Sequence, residues 1–384
     1  MRVLNSSENQ LYFVRIVMSD KHISISFCIP LYNAEKYIEA CILSIVNQNL
    51  DDYEIICVDD GSSDHSVQIL SDLAEKYPAV TVLENESNKG VSFSRNEAIR
   101  TARGDFLWFV DSDDLIAPEA PALYLRTACE NDSDAVFGNS FVFGGDDLPN
   151  LTQFGTDKVS NVEFTSPKQY YPTDQYGKIS YGIWNGIFRR SSLMEHQCFF
   201  REELKLLEDV TFLFEFGMTG SKVTRIDHLG YYYRMHDDST IHRDIVGKSR
   251  RYFEALKLCL PIFENYVRNC DKKYYDVANA HFTERKIAAA GFLIRIRDSS
   301  YVRKEIRWLK KTVIIRLNMM KEQRCTNARI LKIVSSSMFS CRESLCSGFC
   351  IIYGYLNRST DSAPYSQPLY GIVRYKNVSQ SRSA

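Results

Sequence analysis

FLWFVDSDD, residues 106–114, runs from large apolar side chains into the carboxylates Asp111, Asp113 and Asp114. An unbroken apolar run of strand length, preceded by Gly104, is the pattern of a central parallel strand covered on both faces. Ligands of open α/β sheets gather beyond the carboxyl ends of such strands. Carboxylates crowded at a strand end repel one another, and a hard divalent cation, Mg²⁺ or Mn²⁺, bridged to a phosphate is their natural partner. Taken alone, an Asp pair also serves as a helix cap or a solvated turn.

Working outward, EIICVDDGSSD (residues 54–64) repeats the arrangement: Ile55, Ile56 and Val58 lead into Asp59 and Asp60, Gly61 makes the turn, and Ser62 or Ser63 is placed to cap the next helix. Upstream, ISISFCIPLYNAEKYIEACILSIVNQ (residues 23–48) predicts a strand over 23–29 that stops at Pro30. A helix follows, capped by Asn33, with Ile38, Cys41, Ile42 and Ile45 on one face. Gly90 opens a helix in GVSFSRNEAIRTARGD (residues 90–105), and the turn at Gly104 returns the chain to the strand ending at Asp111. The predicted order is β-α-β-α-β-α-β, with two acidic strand ends facing one crevice. Further on, Leu206, Leu207, Val210, Leu213 and Phe214 anchor a predicted helix start that leaves Glu208 and Asp209 at the mouth, where a carboxylate can act as a base.

Together these pieces resemble the family 2 glycosyltransferases with the GT-A fold. The resemblance rests on PLYNAEKYI (30–38), VDDGSSD (58–64), NKGVSFSRNEAI (88–99), FVDSDD (109–114) and LLEDVTF (206–212). Each motif alone is weak; in this order, across residues 23–233, they are specific. The resemblance implies an α/β fold with a mostly parallel, Rossmann-like sheet flanked by helices and followed by a C-terminal helical region. The expected organisation is an extension over 1–22, a glycosyltransferase domain over 23–240 (nucleotide-binding half 23–114, acceptor half 115–240), a basic helical region over 241–340 and a partly disordered tail over 341–384. The activity it implies is inverting, metal-dependent transfer of a sugar from a nucleotide-sugar donor, a UDP-sugar, to a glycan or lipid-linked acceptor in surface-polysaccharide assembly.

The residue roles follow from the same resemblance. Tyr32 matches the position that stacks on the nucleotide base, and Asp60 the one that accepts a hydrogen bond from it, which suits the N–H of uracil. Pro30, Glu35, Arg95 and Ser112 fall with them as nucleotide contacts. Asp111 matches the ribose and water-mediated metal position, and Asp113 the direct ligand of Mn²⁺ or Mg²⁺. Asp209, beside Glu208, matches the base that takes the acceptor's proton, so that one-step attack inverts the anomeric centre. In WNGIFRRS (184–191), Trp184 is a sugar platform or a core residue. In YYYRMHDDSTI (231–241), Arg234 and Ser239 fall near a phosphate or the acceptor, and His236 is a metal ligand, a phosphate contact or neither.

Other classes fit less well. A nucleotidyltransferase needs a Gly-rich phosphate loop where this chain has PLYNAEKY, an aspartyl phosphatase needs Thr where Leu115 stands, and no dinucleotide or P-loop glycine pattern occurs. A non-catalytic sugar-nucleotide-binding relative acting as an assembly subunit is the alternative, and intact Asp113 and Asp209 oppose it.

The chain has 384 residues, 45% hydrophobic and 25% charged, enough for one large α/β domain plus an appendage. No apolar run reaches the length of a membrane span, GFCIIYGYL (348–356) being too short, and the N-terminus does not resemble a signal peptide; Met18 is an alternative start. Its eleven cysteines are scattered. Cys28, Cys41 and Cys57 fall in predicted strands and helices, which suggests a reducing compartment, and the spacing of Cys341, Cys346 and Cys350 fits zinc poorly. The net charge of −1 hides a basic tail: residues 295–332 hold 12 Lys or Arg against 3 acids. YVRKEIRWLKKTVIIRLNMMKEQ (301–323) fits equally an interfacial helix on an anionic membrane surface or a helical bundle with a solvated basic face. The expected location is cytoplasmic, at the inner face of the plasma membrane if the tail binds lipid. No nucleic-acid partner is expected, because the acidic catalytic half would repel one.

Overall fold

The computed structural model describes residues 2–4, 11–13, 22–48, 50–144, 155–162, 182–236, 245–275 and positions spaced along 278–305. The N-terminal extension holds two short antiparallel strands, β1 (Arg2–Leu4) and β2 (Leu11–Phe13). Then come β3 (Ile25–Leu31), α1 (Ile38–Val46), β4 (Tyr53–Asp59), α2 (Ser66–Lys76), β5 (Val80–Glu84), α3 (Val91–Thr101) and β6 (Phe106–Phe109). These alternate as predicted, and their strands pair in parallel in the order β5-β4-β3-β6. Every residue of β3 and β6 is buried, because helices cover both faces. Side chains alternate accordingly. Cys28, Ile56, Leu107 and Phe109 join one core with α3, while Phe27, Ile55, Cys57 and Trp108 join another with α1 and α2. Cys28, Cys41 and Cys57 are buried free thiols, as expected.

Three local expectations are corrected. The first strand begins at Ile25 and passes through Pro30 to Leu31, with Pro30 in register with Val58. Cys28 accepts a bond from Val110 on the β6 side and Leu31 one from Asp60 on the β4 side. Pro30 therefore faces the β6 side, past the last β6 pair at Cys28–Phe109, where no ladder N–H is required. Asn33 does not cap α1, which starts at Ile38; it sits at φ 53° and its side chain accepts the Ser63 N–H at 2.8 Å. Nor do Ser62 and Ser63 cap α2: the Ser62 hydroxyl accepts the Asn33 N–H instead. The two loops beyond β3 and β4 thus cap each other.

Beyond β6 the sheet becomes mixed. There follow β7 (Leu115–Ile116), α4 (Ala120–Glu130), β8 (Ala135–Gly144), β9 (Gly155–Val162), β10 (Gly186–Arg189), α5 (Arg190–Glu195), α6 (Glu208–Gly217), β11 (Val223–Met235) and α7 (Ile245–Asn269). β10 runs antiparallel between β6 and β8, so the nine-stranded sheet continues as β6-β10-β8-β11-β7, with β9 on β11. The described start of the C-terminal helical region packs against this core. Phe253, Leu256, Leu260 and Phe263 of α7 are buried with Phe212, Phe214 and Phe216 of α6, and the Phe214 and Phe263 rings meet edge-on at 4.8 Å. Among the described residues no helix is long and apolar enough to cross a membrane. The basic stretch beyond residue 305 and the cysteines Cys341, Cys346 and Cys350 lie outside the described residues.

Candidate active site

The loops at the carboxyl ends of β3, β4 and β6 meet the start of α6 across a cleft of about 560 Å³. Pro30, Tyr32, Asp60, Arg95, Asp111, Ser112, Asp113, Trp184, Glu208, Asp209 and His236 all line it. Tyr32 is the large aromatic left exposed at its rim, 51% accessible. Asp60 is buried and accepts hydrogen bonds from the backbone N–H groups of Lys89 and Gly90 and from Asn85 Nδ2, at 2.7–2.9 Å. It thereby fastens the turn that opens α3, where Gly90 at φ 99° adopts a conformation open to glycine. Asp59 points away from the cleft, taking the N–H groups of Gly61 and Ser62.

The three carboxylates after β6 have separate surroundings. Asp114 is fully buried, taking the Tyr231 hydroxyl at 2.8 Å and the Arg234 N–H at 2.7 Å. Burial and the neighbouring Asp113 and Asp111 push its proton affinity well up. Asp113 faces the cleft with Oδ2 2.8 Å from His236 Nε2. Burial, then Asp111, raises its pKa, and the His236 contact opposes the rise. Asp111 Oδ1 accepts from Arg95 at 2.9 Å. Arg234 stands behind this corner instead of lining the cleft: its Nε–H donates to the Asp113 carbonyl and its guanidinium lies between the rings of Tyr37 and Phe143.

On the facing wall, Leu207 adopts φ 66°, a left-handed turn that swings the chain into α6 and presents Glu208 and Asp209 to the cleft. Glu208 is held by Arg95 at 3.0 Å. Asp209 Oδ1 takes the N–H of Val210, and its pKa rises to about 7, through burial first and the Glu208 charge second. Val210 and Phe214 are buried as anchors, and Leu206, Leu207 and Val210 line the cleft. Trp184 stacks on Tyr231 and Tyr233 at 4.7 and 5.3 Å and also lines the cleft.

Besides Arg234, two of the expected residues are engaged with other partners and one lies outside the described residues. Glu35 does not reach the cleft, because its carboxylate turns to the N–H and ring of His65. Arg95 is 6% exposed with both terminal nitrogens bound to carboxylates. Ser239 is outside the described residues. Nothing in the sequence marked Tyr252, Leu256, Arg285 and Phe292, which also line the cleft. α7 and the helical positions after it bring them in, and no short motif marks them.

The family model described as glycosyl transferase family 2 matches residues 26–196. Residues 26–196 belong to that family. EpsH of Bacillus subtilis (strain 168), named as a glycosyltransferase, is 33% identical over 223 residues, covering 57% of this chain and 63% of EpsH. The poly(ribitol-phosphate) beta-glucosyltransferase of Bacillus spizizenii is 35% identical over 222 residues, covering 56% of this chain and 32% of that protein. The chain thus spans less than two thirds of either relative. In structure it is similar to S. aureus TarS 1-349 in complex with UDP-GlcNAc, with a TM-score of 0.59 and 21% identity, covering 88% of this chain and 92% of that one. The fold is GT-A, as the sequence implied. The family match ends at residue 196, so α6, with Asp209, and α7 lie beyond it.

Proposed function

We propose that this glycosyltransferase chain transfers a sugar from a UDP-sugar donor, with inversion, onto a hydroxyl of a glycan or lipid-linked acceptor. The observation that carries the reading is that one cleft joins the acidic strand end at Asp111 and Asp113 to a carboxylate on the opposite wall whose pKa is raised to about 7. A base poised near neutrality both holds its proton loosely and accepts one readily. Tyr32 offers an exposed face for the base of the nucleotide. That a protein of the same fold is seen with UDP-GlcNAc supports uridine as that base.

The donor set suits a divalent cation. Asp113 Oδ2 and His236 Nε2 bond to each other at 2.8 Å in the cleft beside Asp111, and among the described residues no three such side chains already stand at ligand spacing, so a cation would have to replace that bond; it would relieve the burial and the Asp111 charge that raise the Asp113 pKa. Asp113, Asp111 and His236 would hold the ion, which supplies charge stabilisation for the departing diphosphate when bound. Asp209 takes the proton of the acceptor hydroxyl as its oxygen attacks the anomeric carbon from the face opposite the leaving group. The C–O bond to the diphosphate breaks as the new glycosidic bond forms. Trp184, shelved on its two tyrosines, positions a sugar ring beside this point. Calorimetric titration of UDP-glucose, UDP-GlcNAc and their guanosine and thymidine counterparts, with and without Mn²⁺, tests the reading. Uridine selectivity that depends on Mn²⁺ in the wild type and loses that dependence in Asp113→Asn supports it; equal affinity for every base, or an unchanged metal response in Asp113→Asn, refutes it.

A further inference from the structure

The sequence places Arg95 with the nucleotide contacts, but its geometry points elsewhere. One terminal nitrogen donates to Asp111 Oδ1 at 2.9 Å and the other to Glu208 Oε1 at 3.0 Å. The guanidinium lies 5.3 Å over the Phe200 ring, which in turn stacks on Phe212 of α6 at 4.2 Å. Its Nε–H is buried without a hydrogen-bond partner. An arginine that leaves one donor unsatisfied while its other nitrogens span two carboxylates from different elements is holding those elements in register. Asp111 ends the donor-side strand, and Glu208 starts the helix that carries the base.

We propose that Arg95 is a positioning residue that clamps the start of α6, and with it Asp209, to the donor-side strand end at Asp111. This rests on the reading of Asp209 as the base. The clamp fixes the separation between the leaving-group end of the cleft and the atom that takes the acceptor's proton, where a displacement of about 1 Å costs about 10²-fold in rate. It also sets the charge around that atom. Asp209 faces Glu208 on its own helix, Arg95 from α3 and Asp111 from the end of β6. Cys259 of α7 is close enough to feel both acids, and Lys205 and Arg285 line the same cleft. Arg95 favours the ionised form of Asp209, and Glu208 opposes it.

The test needs no knowledge of the acceptor. In chelated buffer, the pH dependence of Tm is compared between each background and the same background carrying Asp209→Asn, which isolates the Asp209 titration. With the wild-type midpoint at about 7, Arg95→Met should move the titration to higher pH and Glu208→Gln to lower pH. Arg95→Lys keeps the cation but cannot fork to both carboxylates. It should leave the titration near its wild-type position and lower UDP-glucose hydrolysis by about 10²-fold, while UDP affinity stays within about twofold. The clamp is overturned if Arg95→Met leaves the Asp209 titration in place, or if UDP affinity falls in step with hydrolysis in Arg95→Lys, the behaviour of a nucleotide contact. Should Arg95→Met fail to fold with Asp111 and Glu208 left unpaired, Arg95→Met/Glu208→Gln removes one of the stranded charges. The same upward displacement is then read against Glu208→Gln alone. If Asp209→Asn itself retains full hydrolysis, the base assignment fails, while the displacement still decides the clamp.

Discussion

On the donor side of the cleft, polar side chains hold loops. Asp60 takes the N–H groups of Lys89 and Gly90, Ser62 and Asn33 cap each other's loops, and Asp114 takes the Arg234 N–H and the Tyr231 hydroxyl. On the acceptor side the equivalent task falls to rings. Phe200 stacks on Phe212, Phe188 packs edge-on against Phe212 and Phe216, and α7 closes over Phe214 with Phe263 and Tyr266. Directional bonds set each donor-side carboxylate in place, from backbone N–H groups for Asp60 and Asp114 and from the Arg95 and His236 side chains for Asp111 and Asp113. A packed wall carries α6 through many weak contacts, and the Arg95–Glu208 bond ties the start of that helix to the donor side. Donor binding should therefore be sensitive to single polar changes, and the acceptor wall to lost volume.

That contrast can be broken in order of size. Asp209→Asn should lower turnover of the UDP-sugar by about 10²–10⁴-fold, the range for losing a general base, with UDP affinity by calorimetry unchanged. Equal losses in both would place Asp209 in the donor site. Phe263→Ala, which empties a fully buried site between α6 and α7, should cost about 3–5 kcal/mol in urea unfolding. Below its Tm the variant should still bind UDP as the wild type does; lost UDP affinity would show that the two walls are not separable. Asp60→Asn keeps the shape but offers one acceptor oxygen to N–H groups that now meet two, so UDP affinity should weaken about tenfold and the unpaired buried N–H should cost about 1–3 kcal/mol in urea unfolding.

The smallest effect is a pH limb. On the proposed mechanism Asp209 acts as a base only when ionised, so with its pKa raised to about 7, kcat/KM should rise with pH up to that point and level off above it. The same raised pKa makes the folded state favour the protonated form. Its stabilising contribution is therefore fully present below the ordinary carboxylate range and is lost as pH rises through about 7. An acid limb that persists in Asp209→Asn would assign it to another group.

Legibility divided along the same line. The donor-side carboxylates could be read from sequence because each sits at a fixed offset from an apolar strand or a turn glycine, as in FVDSDD and VDDG. The exceptions were local rules that tertiary context overrode. Pro30 continues a strand because β6 has already stopped pairing there, and Asn33 caps a neighbouring loop in place of its own helix. The role of Arg95 was hidden, since it depends on two residues 16 and 113 positions away meeting one guanidinium. Tyr252, Leu256, Arg285 and Phe292 were invisible for a related reason. A helical apolar stripe shows that a face is buried, not which cleft it closes.

The most direct test of the central claim, a single displacement in which Asp209 activates the attacking oxygen across the cleft from the diphosphate, is the anomer released when water replaces the acceptor. Proton NMR of fresh UDP-α-glucose or UDP-α-GlcNAc hydrolysis, followed faster than mutarotation, should show the β-anomer first with the wild-type chain, and release at least about 10²-fold slower with Asp209→Asn. Initial release of the α-anomer, or release that survives Asp209→Asn at the wild-type rate, would contradict it.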